Sequence, residues 1–579
     1  MRMKSPAGFA AACFAYALPA LLLLCGDAVA QTPDGAPPHP LEGRVDSIFA
    51  ERAGTNSPGC AVAVMRGGDV VLKKAYGMAN LSLGVPMTPA TSVWIPYSET
   101  REFVALAVAM LARDGRISLD DQVRRHVPEV PSYAGDVRVR QLIHHTSGLA
   151  DYGVLAGPGW FIVDRMSEDE FFRILTRWGK LGFEPGSAVM YSNTDYALLK
   201  ILVERVTGGS LHAYLDEKLF RPLDMKSTRM GADQADVFPD HTLFHEEEDS
   251  GYRVVLGRVS PVGGISVTTS VDDVVRWEQG LRDRSLGLGA LFAELRQGAP
   301  EPEQGFAFGI YGDVRNGVEL EVRRGVGGYN YLVRAPEADI AVATICASYS
   351  RMWEYGPSVA MLFAAPDNRP VAAVAAPAAI PATTAAASAP TVPLSPTALQ
   401  RYAGDYRSAG ISSPSLRLAA ADSGLQITTA NGVKYDARPI GNHTFEVVLS
   451  PSLTARLVFA GEDAGMTLTV KYVETGETDP VLERWAPVLP SAAALRSYPG
   501  VYIGDDVEVT LHISVSGDSV MIAGRGLPAT ALRPTEQHNR FEVEDYEVAF
   551  HHDEAGNVTH LTLDAGRVKG MRFTRSMRQ

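Results

Sequence analysis

The chain has 579 residues, 46% of them hydrophobic and 21% charged, and a formal net charge of -14. One hydrophobic core stops growing at roughly 250–300 residues, so this length implies several domains, and the composition is that of a globular, folding chain. The acidic balance, with no stripe of Lys or Arg, excludes nucleic acid as a partner, because binding phosphates needs clustered cations. In chain order, residues 1–30 come first: Arg2 and Lys4, an apolar run, then Ala28, Val29 and Ala30. Small residues at those positions are what signal peptidase accepts, so this is read as a signal peptide cleaved after Ala30. The run from Ala7 to Gly26 is almost long enough to span a bilayer, which leaves an uncleaved anchor open. Cys25 hints at a lipoprotein, but Leu24 before it is bulkier than such sites prefer. The expectation either way is an exported protein, periplasmic or extracellular. No stable membrane span remains after cleavage, since no later apolar run reaches about 18 residues.

Residues 43–365 carry strand-like runs at both ends, "CAVAVMRGGDVVLKKAYG" and "YNYLVRAPEADIAVATICA", around a middle rich in helical periodicity. That pattern predicts one sheet built from both ends. Cys60 and Cys346 lie in its first and last strands and are the only cysteines left once the signal is removed, too few for a disulfide scaffold or a thiolate zinc cluster. A disulfide between them is chemically permitted, but its geometry is demanding. Both sit in apolar runs, where a free cysteine behaves as a small buried hydrophobe. Two free, buried thiols are therefore expected.

Within the middle, "SVWIPYSETREFVALAVAMLARDG" predicts a helix with Phe103, Leu106, Ala107, Met110 and Leu111 on one face and Gly115 as its stop. Ser98 stands at or next to its N-cap, and by itself this is what capping serines do. Beyond this region, residues 366–393 are almost wholly Ala, Pro, Thr, Ser and Val, the composition of a semi-rigid linker. The remainder divides into two modules, 394–487 and 488–579. "LQRYAGDY" recurs as "LRSYPGVY", "TFEVVL" as "RFEVED" and "FAGEDAG" as "FHHDEAG", at offsets of 91 to 96 residues. Short strands between Gly/Asp/Asn turns make each a small antiparallel barrel or sandwich, with Tyr402, Tyr406, Tyr498 and Tyr502 as barrel core.

"LIHHTSGLADY", "FEPGSAVMYSNTDYALLKILVERVTGGS", "LFRPLDMKST" and "SPVGGISVTTSVDDVVRWEQGL" follow the Ser98 helix in that order. Together they resemble the beta-lactamase-related serine hydrolases: class C beta-lactamases, penicillin-binding D,D-carboxypeptidases, D-aminopeptidases and certain esterases. The resemblance implies an α/β fold, a transpeptidase-like sheet with flanking helices and a helical subdomain, followed here by two antiparallel, lipocalin-like beta-barrels. It places the family nucleophile on Ser98, the lysine of S-x-x-K on Arg101, and the Y-x-N pair on Tyr191 and Asn193. Ser98 would attack an acyl carbonyl, Tyr191 would shuttle the proton to the leaving group, and Asn193 would orient the substrate. The bland alternative makes Tyr191 and Asn193 turn residues. His144, His145 and Ser147 belong to a segment that is a structural turn in the family.

Two departures qualify the resemblance. The third motif, His-x-Gly or Lys-x-Gly in the family, reads "VRRGVGGYNY", so Arg323 or Arg324 fills its place with Gly325 as the glycine. An arginine there can hold a substrate carboxylate bidentately but cannot exchange protons. Arg101 cannot act as the base that lysine would be, since guanidinium stays charged below a pH of ~12. It can serve as a fixed positive charge beside Tyr191, unless Glu99 or Glu102 pairs with it. Two functions stay open: a hydrolase of amide, peptide or ester bonds acting through a Ser98 acyl-enzyme, weak or specialised, or a catalytically degenerate protein that binds peptidoglycan-like or D-amino-acid ligands. A small-molecule or peptide substrate is implied, and no cofactor: no metal spacing is recognisable, and "GVGGY" lacks the context of a phosphate loop.

Overall fold

The structure, a computed structural model, describes residues 39–95, 101–157, 166–364 and 391–576, apart from short stretches within them such as 256–261, 297–308, 325–329 and 409–415. The expected signal peptide, Ser98, Glu99, Gly325 and nearly all of the expected linker lie outside the described residues.

Six antiparallel strands form the main sheet, in the order Ile310–Arg315, Val318–Arg324, Asn330–Ala335, Ile340–Cys346, Cys60–Arg66, Asp69–Tyr76. The first two strands of the chain thus join four from the far end of the domain, as the strand-like runs predict. The seam pairs Cys60 with Cys346 through to Arg66 with Ile340. Both seam strands are buried almost throughout, because the helices Val271–Arg282 and Met352–Ala364 pack on the sheet. A strand covered on both faces reads as a continuous apolar run without alternation.

This register corrects the expectation about the cysteines. Cys60 and Cys346 are bonded, with an S–S distance of 2.07 Å and Cα atoms 3.9 Å apart. Residues directly opposed on an antiparallel pair share a face with their side chains close together. The apolar surroundings that would suit two free thiols shelter the bond equally well.

The helix Arg101–Arg113 runs through the helical region and is buried at every position from Arg101 to Leu111. It packs against Asn193–Thr207, Leu211–Leu215 and Leu288–Arg296. Among the described residues no helix is long and apolar enough to cross a membrane.

Beyond residue 391, eight antiparallel strands from Gly404–Ser408 to Leu482–Trp485 close into a barrel. A second sheet of nine strands, Gly500–Gly504 to Val568–Arg575, curls until its two ends, Leu527–Ala531 and Arg533–Pro534, are consecutive in the chain. The duplication extends to single hydrogen bonds. Tyr406 donates its hydroxyl to the Tyr402 carbonyl at 3.0 Å, and Tyr502 to that of Tyr498 at 2.7 Å. Tyr402 meets His443 and Tyr498 meets Asn539, two residues held at φ 60° and 61°. All four tyrosines are core, as expected. The first barrel has a hydrophobic core of its own, whereas that of the second is continuous with the core of the main domain.

Candidate active site

Tyr191 precedes the helix Asn193–Thr207, Asn193 is its first residue, and Ser192 is its N-cap. The structure brings both side chains onto Arg101, the first described residue of its helix and only 1% exposed. One guanidinium nitrogen, Nη2, donates to the Tyr191 hydroxyl and, at 3.0 Å, to Asn193 Oδ1. The Tyr191 hydroxyl donates to the same Oδ1 at 3.2 Å. The guanidinium carbon also lies 4.2 Å from the Tyr191 ring centroid and 5.1 Å from that of Tyr196, within cation–π range. Burial opposes the Arg101 charge, but the Tyr191 oxygen and its neighbours Tyr196 and Tyr311 outweigh it and hold the guanidinium above its ordinary pKa. No carboxylate among the described residues comes within ion-pair distance of Arg101. Glu102, one of the two acids expected to compete for it, turns the other way.

Behind this trio stands Asp151, which the motif reading passed over. It caps the short helix Tyr152–Leu155, accepting from the Gly153 and Val154 amides at 2.9 and 3.3 Å. Its Oδ2 accepts from both nitrogens of Asn193, backbone at 3.0 Å and side chain at 2.9 Å. Asn193 is thereby fixed with its amide nitrogen toward Asp151 and its oxygen toward Arg101 and Tyr191. A third donor to Asp151 Oδ2 is Arg567 Nη1 at 2.7 Å, from the turn between the last two strands of the second barrel. The Arg567 guanidinium carbon lies 4.9 Å from the Tyr191 ring centroid. Asp151 was legible only as the last acid of "HTSGLAD". Arg567 stands 416 residues further on, and no local pattern points to it.

His145, at φ 55° and fully buried, grips the backbone on both sides of Tyr191. Its carbonyl accepts from the Met190 amide at 2.9 Å, and its Nδ1 accepts from the Ser192 amide at 3.3 Å. The same Nδ1 lies 2.8 Å from Asp195 Oδ2, while Ser147 donates to Asp195 Oδ1 at 2.5 Å. Burial pushes the Asp195 carboxyl well above the usual carboxylate range, although the Ser147 hydrogen bond works against it. Burial, with Arg101 next, holds the His145 imidazole well below its usual value. The arrangement positions the Tyr191 segment, in keeping with a structural turn.

Arg323 is not brought to the trio. It is 1% exposed, with Nε 3.5 Å from Glu102 Oε2 and Nη1 3.5 Å from Glu321 Oε2. Glu102 completes this separate buried cluster by accepting from Trp277 Nε1 at 3.2 Å and from the Tyr331 hydroxyl. Arg324 is the last residue of its strand, and Gly325 lies outside the described residues.

The Beta-lactamase family model matches residues 45–355 of this chain. D-aminopeptidase of Brucella canis is 30% identical over 281 residues, covering 45% of this chain and 51% of that protein. D-aminopeptidase of Brucella anthropi is 30% identical over 227 residues, with 38% and 42% covered. The chain thus spans about half the length of the curated relatives it matches. Among solved structures, the octameric penicillin-binding protein homologue from Pyrococcus abyssi superposes with a TM-score of 0.50 at 19% identity, over 84% of this chain and 98% of that one. That likeness concerns the fold alone. With a family match over more than half its length, the chain belongs to the Beta-lactamase family of serine hydrolases.

Proposed function

We propose that this protein is an exported serine hydrolase that cleaves amide bonds in small amides or peptides bearing D-residues, through an acyl-enzyme on Ser98. The observation that carries the reading is the shared Nη2 of Arg101, which ties the Tyr191 hydroxyl and Asn193 Oδ1 together at the start of the helix Arg101–Arg113, three residues after Ser98 in the sequence. In this mechanism the Ser98 hydroxyl adds to the substrate carbonyl carbon and gives its proton to the Tyr191 oxygen, whose negative form Arg101 stabilises as a fixed cation. Collapse of the tetrahedral adduct breaks the C–N bond, and Tyr191 returns the proton to the departing amine. Water then hydrolyses the ester by the reverse proton route. Asn193, held by Asp151, orients the substrate amide, and Arg324 with Gly325 supplies the third-motif contact. The names of the D-aminopeptidase relatives support an amide substrate with a D-residue.

Arg101 favours one rival. Without a lysine base, the same residues could bind D-amino-acid or peptidoglycan-like ligands and not turn them over. The test compares the wild type with Ser98→Ala, using D-alanine p-nitroanilide as substrate and a fluorophosphonate as covalent probe. Nitroaniline release and labelling that both vanish in Ser98→Ala support the hydrolase. Saturable binding of the anilide with neither turnover nor labelling establishes the rival.

A further inference from the structure

We propose that the cavity among the strand ends of the first barrel is a binding site for an uncharged apolar molecule, a chain of about ten to twelve carbons ending in a hydrogen-bonding head. The two barrels share one design at one end and differ at the other. At the shared end each is plugged by aromatic rings. Tyr402, Phe445 and Phe459 meet at centroid distances of 4.9 to 5.6 Å. Tyr498, Phe541 and Phe550 meet at 4.3 to 5.7 Å.

At the opposite end the second barrel is filled. Val507, buried, covers Gly504 so closely that a Cβ on that glycine would lie 2.6 Å from Val507 Cγ2. The next residues dock on the main domain, where Val509 lies against Gly157. In the first barrel the repeat puts Ser408 in the place of Gly504, and there it borders a cavity of about 320 Å³ within the strand ends.

The walls of this cavity are apolar, formed by residues such as Ile427, Val447, Ala455 and Leu457, each at most 4% exposed. None of the described residues lining it is charged. Among the described residues lining it, hydroxyl groups come from Ser408, Thr429, Tyr435 and Tyr472, all four half-buried. An eight-stranded barrel is just wide enough either to be filled by its own side chains or to hold one small ligand. Here the alternation of inward residues continues to the mouth, yet the side chains are too small to fill it. An apolar cavity of ~150 Å³ takes one benzene, so about twice that volume takes roughly twice six carbons. A charge would meet no counter-ion within these walls, whereas an alcohol, ester or amide head can exchange hydrogen bonds with the tyrosine hydroxyls.

The site is independent of Ser98 chemistry, and the experiment keeps the two apart. The full chain is titrated with the fluorescent probe N-phenyl-1-naphthylamine, and 1-decanol and decanoate are added as competitors. One saturable site per chain is expected, displaced by decanol more effectively than by decanoate, unchanged in Ser98→Ala and at least tenfold weaker in Val447→Phe and Ala455→Phe. Absence of saturable binding, loss of it in Ser98→Ala, or full retention in both filled variants overturns the proposal. A readout without substitution is hydrogen exchange of the wild type: saturating decanol should slow the amides of Thr444–Ser450 and Leu453–Ala460, and unchanged exchange in these strands also overturns it.

Discussion

On the proposed reading, arginine at position 101 keeps the charge of the family lysine and loses its chemistry. The loss of about five or six pK units of basicity against a tuned lysine corresponds to roughly 7–8 kcal/mol, so no rearrangement of neighbours makes a guanidinium the base. Its buried Nη2 instead holds Tyr191 and Asn193 in one place. Arg101→Lys is expected to raise the rate of fluorophosphonate labelling and of nitroanilide release by at least tenfold, because it restores a titratable amine three residues from Ser98 in the sequence. An unchanged rate in a variant that melts like the wild type would remove the missing-lysine explanation. Tyr191→Phe deletes the remaining acceptor and should cost ~10²–10⁴ in kcat, the usual range for general acid–base catalysis. A third residue-scale expectation concerns pH. The folded Asp195 carboxyl titrates well above its unfolded counterpart, so the folded state binds the extra proton and its stabilising contribution fades as pH rises from about 4 through the folded value. His145 acts in the opposite sense, losing stability as pH falls below about 6.5, where the unfolded imidazole takes up a proton. Asp195→Asn keeps a hydrogen bond to His145 and cannot titrate. The unfolding free energy of the wild type minus that of Asp195→Asn, from urea titrations at several pH values, should therefore fall with rising pH by up to about 1.4 kcal/mol per unit.

Among the elements, the seam between Cys60–Arg66 and Ile340–Cys346 carries the longest-range constraint, a disulfide across 286 residues of chain. Removing a native disulfide typically costs about 2–5 kcal/mol, mainly by freeing the unfolded chain. The Cys60→Ala, Cys346→Ala double variant is expected to lower the urea midpoint accordingly while the labelling of Ser98 persists. A midpoint that does not move would mean that the seam is held by its ladder and apolar packing alone. The same seam marks what the sequence makes legible. Unalternating apolar runs at both ends of the domain revealed its two strands and their pairing, because burial on both faces leaves that signature. The state of the two cysteines was not readable, since bonded and free sulfurs favour the same apolar surroundings and only the register, which puts Cys60 opposite Cys346, distinguishes them. The trio was legible for a related reason. Arg101 opens one helix, and Tyr191 and Asn193 introduce another, so short motifs mark all three. Asp151 and Arg567 meet only after a barrel has docked on the main domain, and nothing in either local sequence encodes that event.

At the scale of the whole molecule, the second barrel is part of the active domain and the first is a neighbour of it. Docking uses exposed ion pairs, such as Arg173 Nε with Glu508 Oε1 at 3.0 Å, which are worth little individually. It also uses the continuous apolar core and one contact of another kind, Arg567 on the fully buried carboxylate of Asp151. Removing one partner of a buried pair ordinarily costs about 3–5 kcal/mol, because a charge is left uncompensated. Here the cost should be smaller: Asp151 keeps the Gly153, Val154 and Asn193 amides and the Asn193 side chain as donors. The chief loss in Arg567→Ala is the guanidinium over the ring of Tyr191, the proposed proton shuttle. The expected outcome is a melting temperature within a few degrees of the wild type, with KM for D-alanine p-nitroanilide raised about tenfold, equivalent to roughly 1.4 kcal/mol of lost binding. A fall in kcat at constant KM would instead place Arg567 in the transition state, through Tyr191. If neither constant changes, the turn that carries Arg567 only anchors the barrel, and the second module belongs to stability and not to substrate recognition.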